Sequence, residues 1–207
     1  MKDRIQNRTE RKKAETRKKI MAVAMDLFNR QGFEQTTIDQ IAMEADVAKG
    51  TIYNHFPEKE AIISEYIFSL VSEQGPDMLA LLRKLPDTRS RLITALHKSL
   101  EWMQVDLNND LYEKYFTYKM SKAAQALKGH GPSVSSGFRT VLEQIFVWGK
   151  ESGEIRDDVD CSFLADQLEL NHIIRLIFWV TYPQMSSIHE SIEINVELFL
   201  NGAKSAL

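Results

Sequence analysis

Residues 36–62 read TTIDQIAMEADVAKGTIYNHFPEKEAI. Thr37, followed three residues later by Gln40, forms a capping box, which is typical of a helix N-terminus. Apolar residues at helical spacing come next, and they predict a helix that continues to about Glu44. The polar residues that follow interrupt this spacing. The stretch therefore begins with a short, well-capped helix of about two turns.

A second short helix is predicted over about residues 48–55. Asp46 suits the turn before it, because aspartate adopts the left-handed backbone conformation more readily than most residues. Phe56 ends the helix, since it precedes Pro57 and a residue before proline avoids helical angles. Two short helices joined by a turn of three or four residues are typical of a helix-turn-helix motif.

The second helix carries many hydrogen-bonding groups for so short an element. In helix-turn-helix proteins the second helix enters the DNA major groove, and its N-terminal part meets base edges. Gly50 and Thr51 give this end a small surface that allows a close approach. Lys49 can donate to guanine O6 and N7, and Asn54 can pair with adenine. These four residues, Lys49, Gly50, Thr51 and Asn54, are the predicted base-edge contacts.

The other residues near this helix divide between phosphate contacts and a core face. The polar side chains suited to phosphate oxygens are Tyr53, His55 and Lys59. The apolar side chains predicted to pack on helices 1 and 2 are Val47, Ile52 and Phe56. A plain solvated face is the alternative explanation for the polar set.

A longer helix is predicted ahead of this motif, at about residues 10–31, from apolar residues at helical spacing. Nine of the first 19 residues are Lys or Arg and three are Asp or Glu, whereas the whole chain has a formal net charge of −3. A basic arm on an acidic chain suggests a localised anionic partner, although a solvated, frayed terminus explains the same charges. The candidate contacts are Lys12, Lys13, Arg17, Lys18 and Lys19.

The rest of the chain shows only helical patterns and breaks. The predicted helices lie at about residues 58–74, 77–84, 88–106, 110–128, 133–151, 161–182 and 187–204. The first is expected to stop at Gly75-Pro76, and a further break is expected at Gly129–Pro132. The chain is therefore predicted to be all-α, with a basic arm and three-helix helix-turn-helix domain over 1–57 and a larger helical bundle over 58–207. The helix at 58–74 is the predicted connector.

Several classes of protein are disfavoured by the composition. The single cysteine, Cys161, cannot form an intrachain disulfide, which fits a reducing cytoplasm. The N-terminus lacks the apolar core of a signal peptide, and the longest near-apolar run, residues 173–180, is far shorter than a membrane span. We find no metal-ligand spacing and no catalytic or cofactor-binding motif. The expectation is a cytoplasmic protein without enzyme activity, cofactor, metal or membrane partner.

The stretch at 36–62 resembles the DNA-binding segment of TetR-family transcriptional regulators, whose pattern is roughly TTxxxIAxxAGVSxGT[LI]Yx[HY]Fx[SN]KExL. The resemblance extends back through AxxLFxxxGF at residues 24–33. Three positions depart from the pattern: Asp46 for glycine at the turn, Ala48 for the serine that caps the second helix, and Glu58 for serine or asparagine. A missing cap costs about 1 kcal/mol, so formation of the second helix is in question at Ala48.

The resemblance implies a role for further residues. It implies that Thr37 contacts phosphate, that Tyr53, His55 and Lys59 do the same, and that the protein represses transcription. Asp39 is either a helix cap or an acceptor for cytosine N4, and we favour the cap. The resemblance also implies a homodimer through the last two long helices. The helix at 161–182 is apolar nearly all round and must be covered on more than one side; a monomer that buries both faces internally is the alternative.

A ligand site is expected in the bundle. Within one apolar helix, His172 and Arg175 lie one turn apart and need polar partners. They could receive a ligand, or bond to each other or to the second subunit. The candidate lining is Trp102, Tyr115, Phe116, Trp148, His172, Arg175 and Phe178.

The sequence is thus interpreted as a dimeric repressor that leaves a palindromic double-stranded DNA operator when a small, largely apolar effector binds. Two alternatives stay open. One is a DNA-binding structural protein without an effector, which predicts no cavity in the bundle. The other is an all-helical enzyme that its N-terminal domain only localises.

Overall fold

The computed structural model describes residues 2–106, 108–127, 137–182, 184 and 187–203, and within them the fold is all-α, with no strand. The helices are α1 (Lys2–Gln31), α2 (Ile38–Glu44), α3 (Lys49–His55), α4 (Lys59–Leu82), α5 (Thr88–Asp106), α6 (Asn109–Leu127), α7 (Phe138–Glu151), α8 (Cys161–Thr181) and α9 (Ile188–Ala203). This confirms the predicted fold class. The expected break at Gly129–Pro132, the start of the helix at 133–151 and the break at Pro183 lie outside the described residues.

The chain forms two compact units, Met1–Tyr66 and Ile67–Leu207. The division falls inside α4, so the first two turns of that helix belong to the first unit. This helix overlaps the predicted connector at residues 58–74. Assignment of functions to residues 1–57 and 58–207 stays a prediction.

The first unit holds α1, α2, α3 and the start of α4 around one apolar core. Fully buried side chains from all four helices meet in it: Ile20, Leu27, Phe28, Ile41, Ile52, Ile62 and Ile63. Phe33, which follows α1, packs its ring 5.0 Å from the ring of Phe28. The core explains why two seven-residue helices persist here, since helices this short gain their stability from tertiary packing rather than from propensity.

The first helix begins earlier than predicted, at Lys2 rather than near residue 10. The basic arm is therefore helical. Its Lys, Arg, Glu and Gln residues are good helix formers, and charge alone does not oppose a helix. Arg11 and Glu15 add an (i, i+4) ion pair with 3.4 Å between Nε and Oε1.

The expected break at Gly75-Pro76 was wrong, because α4 passes through Pro76 without interruption. Proline opposes helical angles at the preceding residue mainly by a clash with its Cβ, and Gly75 has none. The part of α4 beyond the proline is anchored by Met78 and Leu82, whose side chains are buried. Packing thus offsets the lost hydrogen bond.

The second unit holds the rest of α4 with α5 to α9. In it α7 packs on α5 and α8, α9 packs on α5 and α8, and α6 packs on α8. At Gly149, α7 packs very closely against Ile155 and Thr88. A Cβ added at this glycine would lie 2.6 Å from Ile155 Cγ1 and from Thr88 Oγ1. Only glycine fits that position without a shift of its neighbours.

Candidate nucleic-acid interface and effector cavity

The helix-turn-helix geometry starts with two differently capped helices. Thr37 Oγ1 accepts from the Gln40 backbone N–H, and the Gln40 side chain accepts from the Thr37 N–H, so the predicted capping box is confirmed. Asp46 takes the left-handed conformation with φ of 50°. Ala48 begins α3 without a side-chain cap, yet the helix forms over Lys49–His55. The tertiary core therefore compensates for the missing cap.

The two faces of α3 divide as the sequence predicted. Ile52 and Phe56 are buried, with 0% and 1% of their surface exposed. Val47 is only half-buried. Of the predicted DNA contacts, Thr51 is half-buried, and the exposed ones on α3 are Lys49, Gly50, Tyr53 and Asn54. An added Cβ at Gly50 would meet no protein atom within 4 Å, so the fold does not require glycine there.

Lys49 is joined to α2 by an ion pair. Its Nζ donates to Asp39 Oδ2 at 2.8 Å, and both side chains are exposed. This hydrogen bond raises the pKa of the Lys49 ammonium, which therefore stays charged. The preferred assignment of Asp39 as the cap of α2 was wrong, because Thr37 fills that position.

Thr37 and Lys59, two predicted phosphate contacts, already make hydrogen bonds within the first unit. Both Thr37 donors, the backbone N–H and the hydroxyl, reach Gln40 Oε1 at 2.9 and 3.2 Å. Lys59 Nζ donates to the backbone oxygens of Phe33 and Thr36, at 2.8 Å each, and lies 4.2 Å from the Phe33 ring centroid. Lys59 thus ties the start of α4 to the loop before α2.

His55 and Arg17 lie at the edge of the same core. Burial, and then the charges of Arg17 and Lys13, lower the pKa of His55 and favour its neutral form. Arg17 Nη2 pairs with Glu65 Oε2 at 2.7 Å, and its guanidinium lies 4.9 Å from the Phe56 ring centroid. The four other candidates of the arm, Lys12, Lys13, Lys18 and Lys19, are exposed on α1.

The second unit contains an apolar cavity with a free volume of about 50 Å³. Four residues of the predicted pocket line it: Trp102, Tyr115, Phe116 and His172. The remaining wall comes from α4, α5, α7 and α8, and its residues are Ile67, Leu70, Val71, Ser99, Phe138, Glu169, Ile173 and Leu176. We call this space the inner cavity.

One polar side chain at the inner cavity is His172, which is neutral and is paired with Ser99. Ser99 Oγ donates its one hydrogen to the Leu96 carbonyl at 2.8 Å and lies 3.3 Å from His172 Nε2. Since the hydroxyl hydrogen is used, His172 must donate from Nε2, which fixes its tautomer. Burial lowers the pKa of His172 to about 4. The cavity therefore presents a hydrogen-bonding imidazole without a positive charge.

Three predicted pocket residues do not line the inner cavity. The ring of Trp148 instead faces the guanidinium groups of Arg83 and Arg91, at 5.9 and 5.8 Å. Arg175 is exposed, and so is Phe178, with 54% of its surface accessible. Helical geometry explains the two α8 residues, because steps of three and six from His172 rotate them by about 60° and 120° to the same side of the helix.

A larger groove lies beside the inner cavity, between α6 and the C-terminal part of α8. Its volume is about 240 Å³, and its lining is Glu113, Phe116, Thr117, Met120, Ile177, Val180 and Thr181. We call this space the outer groove. Phe116, which is 2% exposed, lines both spaces.

Comparison with known proteins decides the class of the first unit. Residues 20–66, which contain α2, α3 and the core that holds them, match the family model described as bacterial regulatory proteins, tetR family. Residues 20–66 therefore form a DNA-binding domain of the TetR family. The resemblance seen in the sequence is thereby confirmed.

Two similar curated proteins cover most of the chain's length at low identity. The HTH-type transcriptional repressor KstR2 of Rhodococcus jostii is 24% identical over 158 residues, or 72% of each chain. The fatty acid metabolism regulator protein of Bacillus subtilis is 23% identical over 184 residues, or 88% of this chain and 93% of its own.

Two solved structures share the fold of the chain. FadR of Thermus thermophilus, a TetR-family repressor in complex with lauroyl-CoA, has a TM-score of 0.77 at 23% identity and covers 92% of this chain and 96% of its own. FadR of Bacillus subtilis, in complex with stearoyl-CoA, has a TM-score of 0.62 at 20% identity, with coverage of 89% and 97%.

Some features of the two candidate sites could not be found by sequence patterns. Ser99 and Glu169 at the inner cavity are isolated polar residues on amphipathic helices, and nothing local distinguishes them from surface positions. The Asp39–Lys49 pair joins residues ten apart across a turn. Among the helices of the described residues, none is long and apolar enough to cross a membrane.

His172 predicts a measurable pH dependence of stability. Its pKa of about 4 in the fold lies below the usual value of 6.5, so the unfolded chain binds more protons between these values. Stability is fully present above about pH 6.5 and is lost as the pH falls toward 4. Between about pH 7 and pH 5, this histidine should lower the free energy of unfolding of the wild type by about 2 kcal/mol. We expect His172→Gln, whose amide keeps a hydrogen-bond donor for Ser99, to abolish this decrease. Urea unfolding of both proteins across that range measures it; equal pH slopes would show that His172 titrates normally.

Proposed function

We propose that this regulator is a dimeric repressor that leaves its operator when a long-chain acyl thioester, of the acyl-CoA class, enters the second unit. The observation that carries the proposal is the apolar inner cavity, whose histidine is neutral. In this proposal residues 1–57 bind DNA, residues 58–207 bind the effector and dimerise, and α4 connects the two functions. The protein acts in the cytoplasm without catalysing a reaction.

The cavity chemistry favours an apolar chain with its charged end outside. A carboxylate inside would lie near Glu169 and would meet no cationic histidine, so repulsion and burial both oppose it. The relatives with the same fold that hold lauroyl-CoA and stearoyl-CoA support the acyl-CoA class. Neither the inner cavity nor the outer groove alone reaches the roughly 300 Å³ usual for ligand sites, but together they approach it. A chain that occupies both must displace Phe116.

An exposed apolar stripe supports the proposed dimer. On α8 the exposed side chains lie mostly four residues apart, and they are Phe163, Leu170, Ile174, Phe178 and Tyr182. On α9 the exposed pair is Ile194 and Leu198, at 58% and 66%. Contiguous exposed apolar surface of this kind marks an interaction site. A second copy of α8 and α9 would cover it in a four-helix contact.

The experiment selects DNA duplexes from a random pool with the full-length protein and then challenges the complex with lauroyl-CoA. We expect inverted repeats with half-sites about 34–36 Å apart, as a dimeric helix-turn-helix protein requires. Lauroyl-CoA should weaken binding by at least about tenfold, within the usual range of allosteric coupling. Free CoA is the control and should have no effect. A complex that survives acyl-CoAs of every chain length would refute the effector class and favour an effector-independent DNA-binding protein.

A further inference from the structure

We propose that Asp39 and Lys49 form one base-reading unit, in which Asp39 accepts from a cytosine N4 amino group while Lys49 donates to guanine in the same or the adjacent base pair. The inference rests on the proposed DNA-binding function and assigns part of its sequence specificity. It makes Asp39, on α2, a specificity-determining residue beside the recognition helix.

Geometry places the two side chains together on the exposed surface of the helix-turn-helix. Asp39 lies in the first turn of α2, and Lys49 is the first residue of α3. Their Oδ2 and Nζ atoms are 2.8 Å apart, and the side chains are 70% and 51% exposed. In helix-turn-helix proteins the N-terminal part of the recognition helix meets the base edges. The Asp39 carboxylate, as the partner of Lys49, is therefore expected to reach the same base edges.

Asp39 has little structural work beyond its place in the first turn of α2, where a carboxylate stabilises a helix by about 0.3–1 kcal/mol. The N-terminus of α2 is capped by Thr37 and Gln40, and the Asp39 side chain is too exposed to belong to the core. An exposed ion pair contributes little stability, about 0–1 kcal/mol. A carboxylate is also unfavourable near phosphate oxygens, because like charges repel. A position that approaches DNA tolerates an acid best where the acid accepts from a base.

The two groups match a C·G pair in hydrogen-bonding terms. In the major groove cytosine offers the N4 donor and guanine offers the N7 and O6 acceptors. A carboxylate only accepts, and an ammonium only donates. Because the pair is neutral as a whole, it adds selectivity without adding the salt-dependent attraction that basic residues supply.

The test compares the sequences that wild-type protein and the Asp39→Asn variant select from the same random DNA pool. We expect the wild type to require a C·G pair at one fixed position of each half-site. An asparagine amide can pair with adenine N6 and N7, so Asp39→Asn should move the preference at that cytosine to adenine. The discrimination should change by about 5- to 150-fold, the range for one good base contact, with the other positions unchanged.

The matched control is Asp26→Asn, because Asp26 is also an exposed acid in an ion pair, with Arg30 Nε at 2.9 Å, but lies on α1. It should select the wild-type sequence. Circular dichroism confirms that each variant is folded. If Asp39→Asn selects the wild-type sequence with unchanged discrimination, the inference is overturned while DNA binding stands. If the wild type enriches no sequence, the proposed function fails and this inference fails with it.

Discussion

Replacing Lys59 by methionine should lower the free energy of unfolding by about 2–4 kcal/mol. The ammonium donates to the Phe33 and Thr36 carbonyls at 2.8 Å and lies 4.2 Å from the Phe33 ring centroid. A hydrogen bond to a charged group contributes about 1.5–3 kcal/mol, and methionine keeps the apolar stem but makes neither bond. The Phe33 carbonyl keeps its bond from the Thr36 N–H, so the full sum of two bonds is not expected. Urea unfolding followed by circular dichroism measures the loss.

The matched control is Lys19→Met, because Lys19 is exposed on α1. Substitutions at such surface positions usually change stability by less than about 0.5 kcal/mol. The Lys59→Met variant, compared with the wild type, also tests the predicted phosphate contact of Lys59. Loss of a phosphate contact reduces the salt dependence of DNA binding by about one charge. A Lys59→Met protein of wild-type stability with a smaller salt slope would show that the ammonium serves DNA rather than the fold.

Phe116→Leu should make long acyl chains better effectors than they are for the wild type. The ring lines both the inner cavity and the outer groove, so we expect a smaller side chain to let an acyl chain extend through both. Each further buried methylene contributes about 0.8 kcal/mol, and two of them give about tenfold in affinity. We expect palmitoyl-CoA to release the selected operator at a concentration lowered by about tenfold. Octanoyl-CoA, whose chain is too short to use both spaces, should be nearly unaffected.

Two further variants sharpen the result. Phe116→Trp enlarges the barrier and should raise the palmitoyl-CoA concentration needed for release. Phe68→Leu makes the same Phe-to-Leu change at an exposed position of α4 that lines neither space, and it should behave like the wild type. If Phe116→Leu alters the response to every chain length equally, the ring is part of the wall and not a barrier between the two spaces.

Most of the first unit could be predicted from sequence because its signals are local. The capping box of Thr37 and Gln40 spans four residues, the turn depends on Asp46 alone, and the end of α3 depends on Phe56 and its following proline. Each feature arises from steric or hydrogen-bonding preferences of adjacent residues. Periodicity likewise assigned the buried face to Ile52 and Phe56. Such patterns need no knowledge of what packs against the helix.

The sequence by itself thus determined the all-α class, the helix-turn-helix motif and the polar face of α3. Only the tertiary structure decided that α4 continues through Pro76, where buried Met78 and Leu82 offset the lost hydrogen bond. It also decided that Lys59 holds carbonyls more than 20 residues away, that Asp39 pairs with Lys49, and that Phe116 lines two spaces. These contacts depend on how helices meet, and helical periodicity fixes which face is apolar but not which neighbour that face will find.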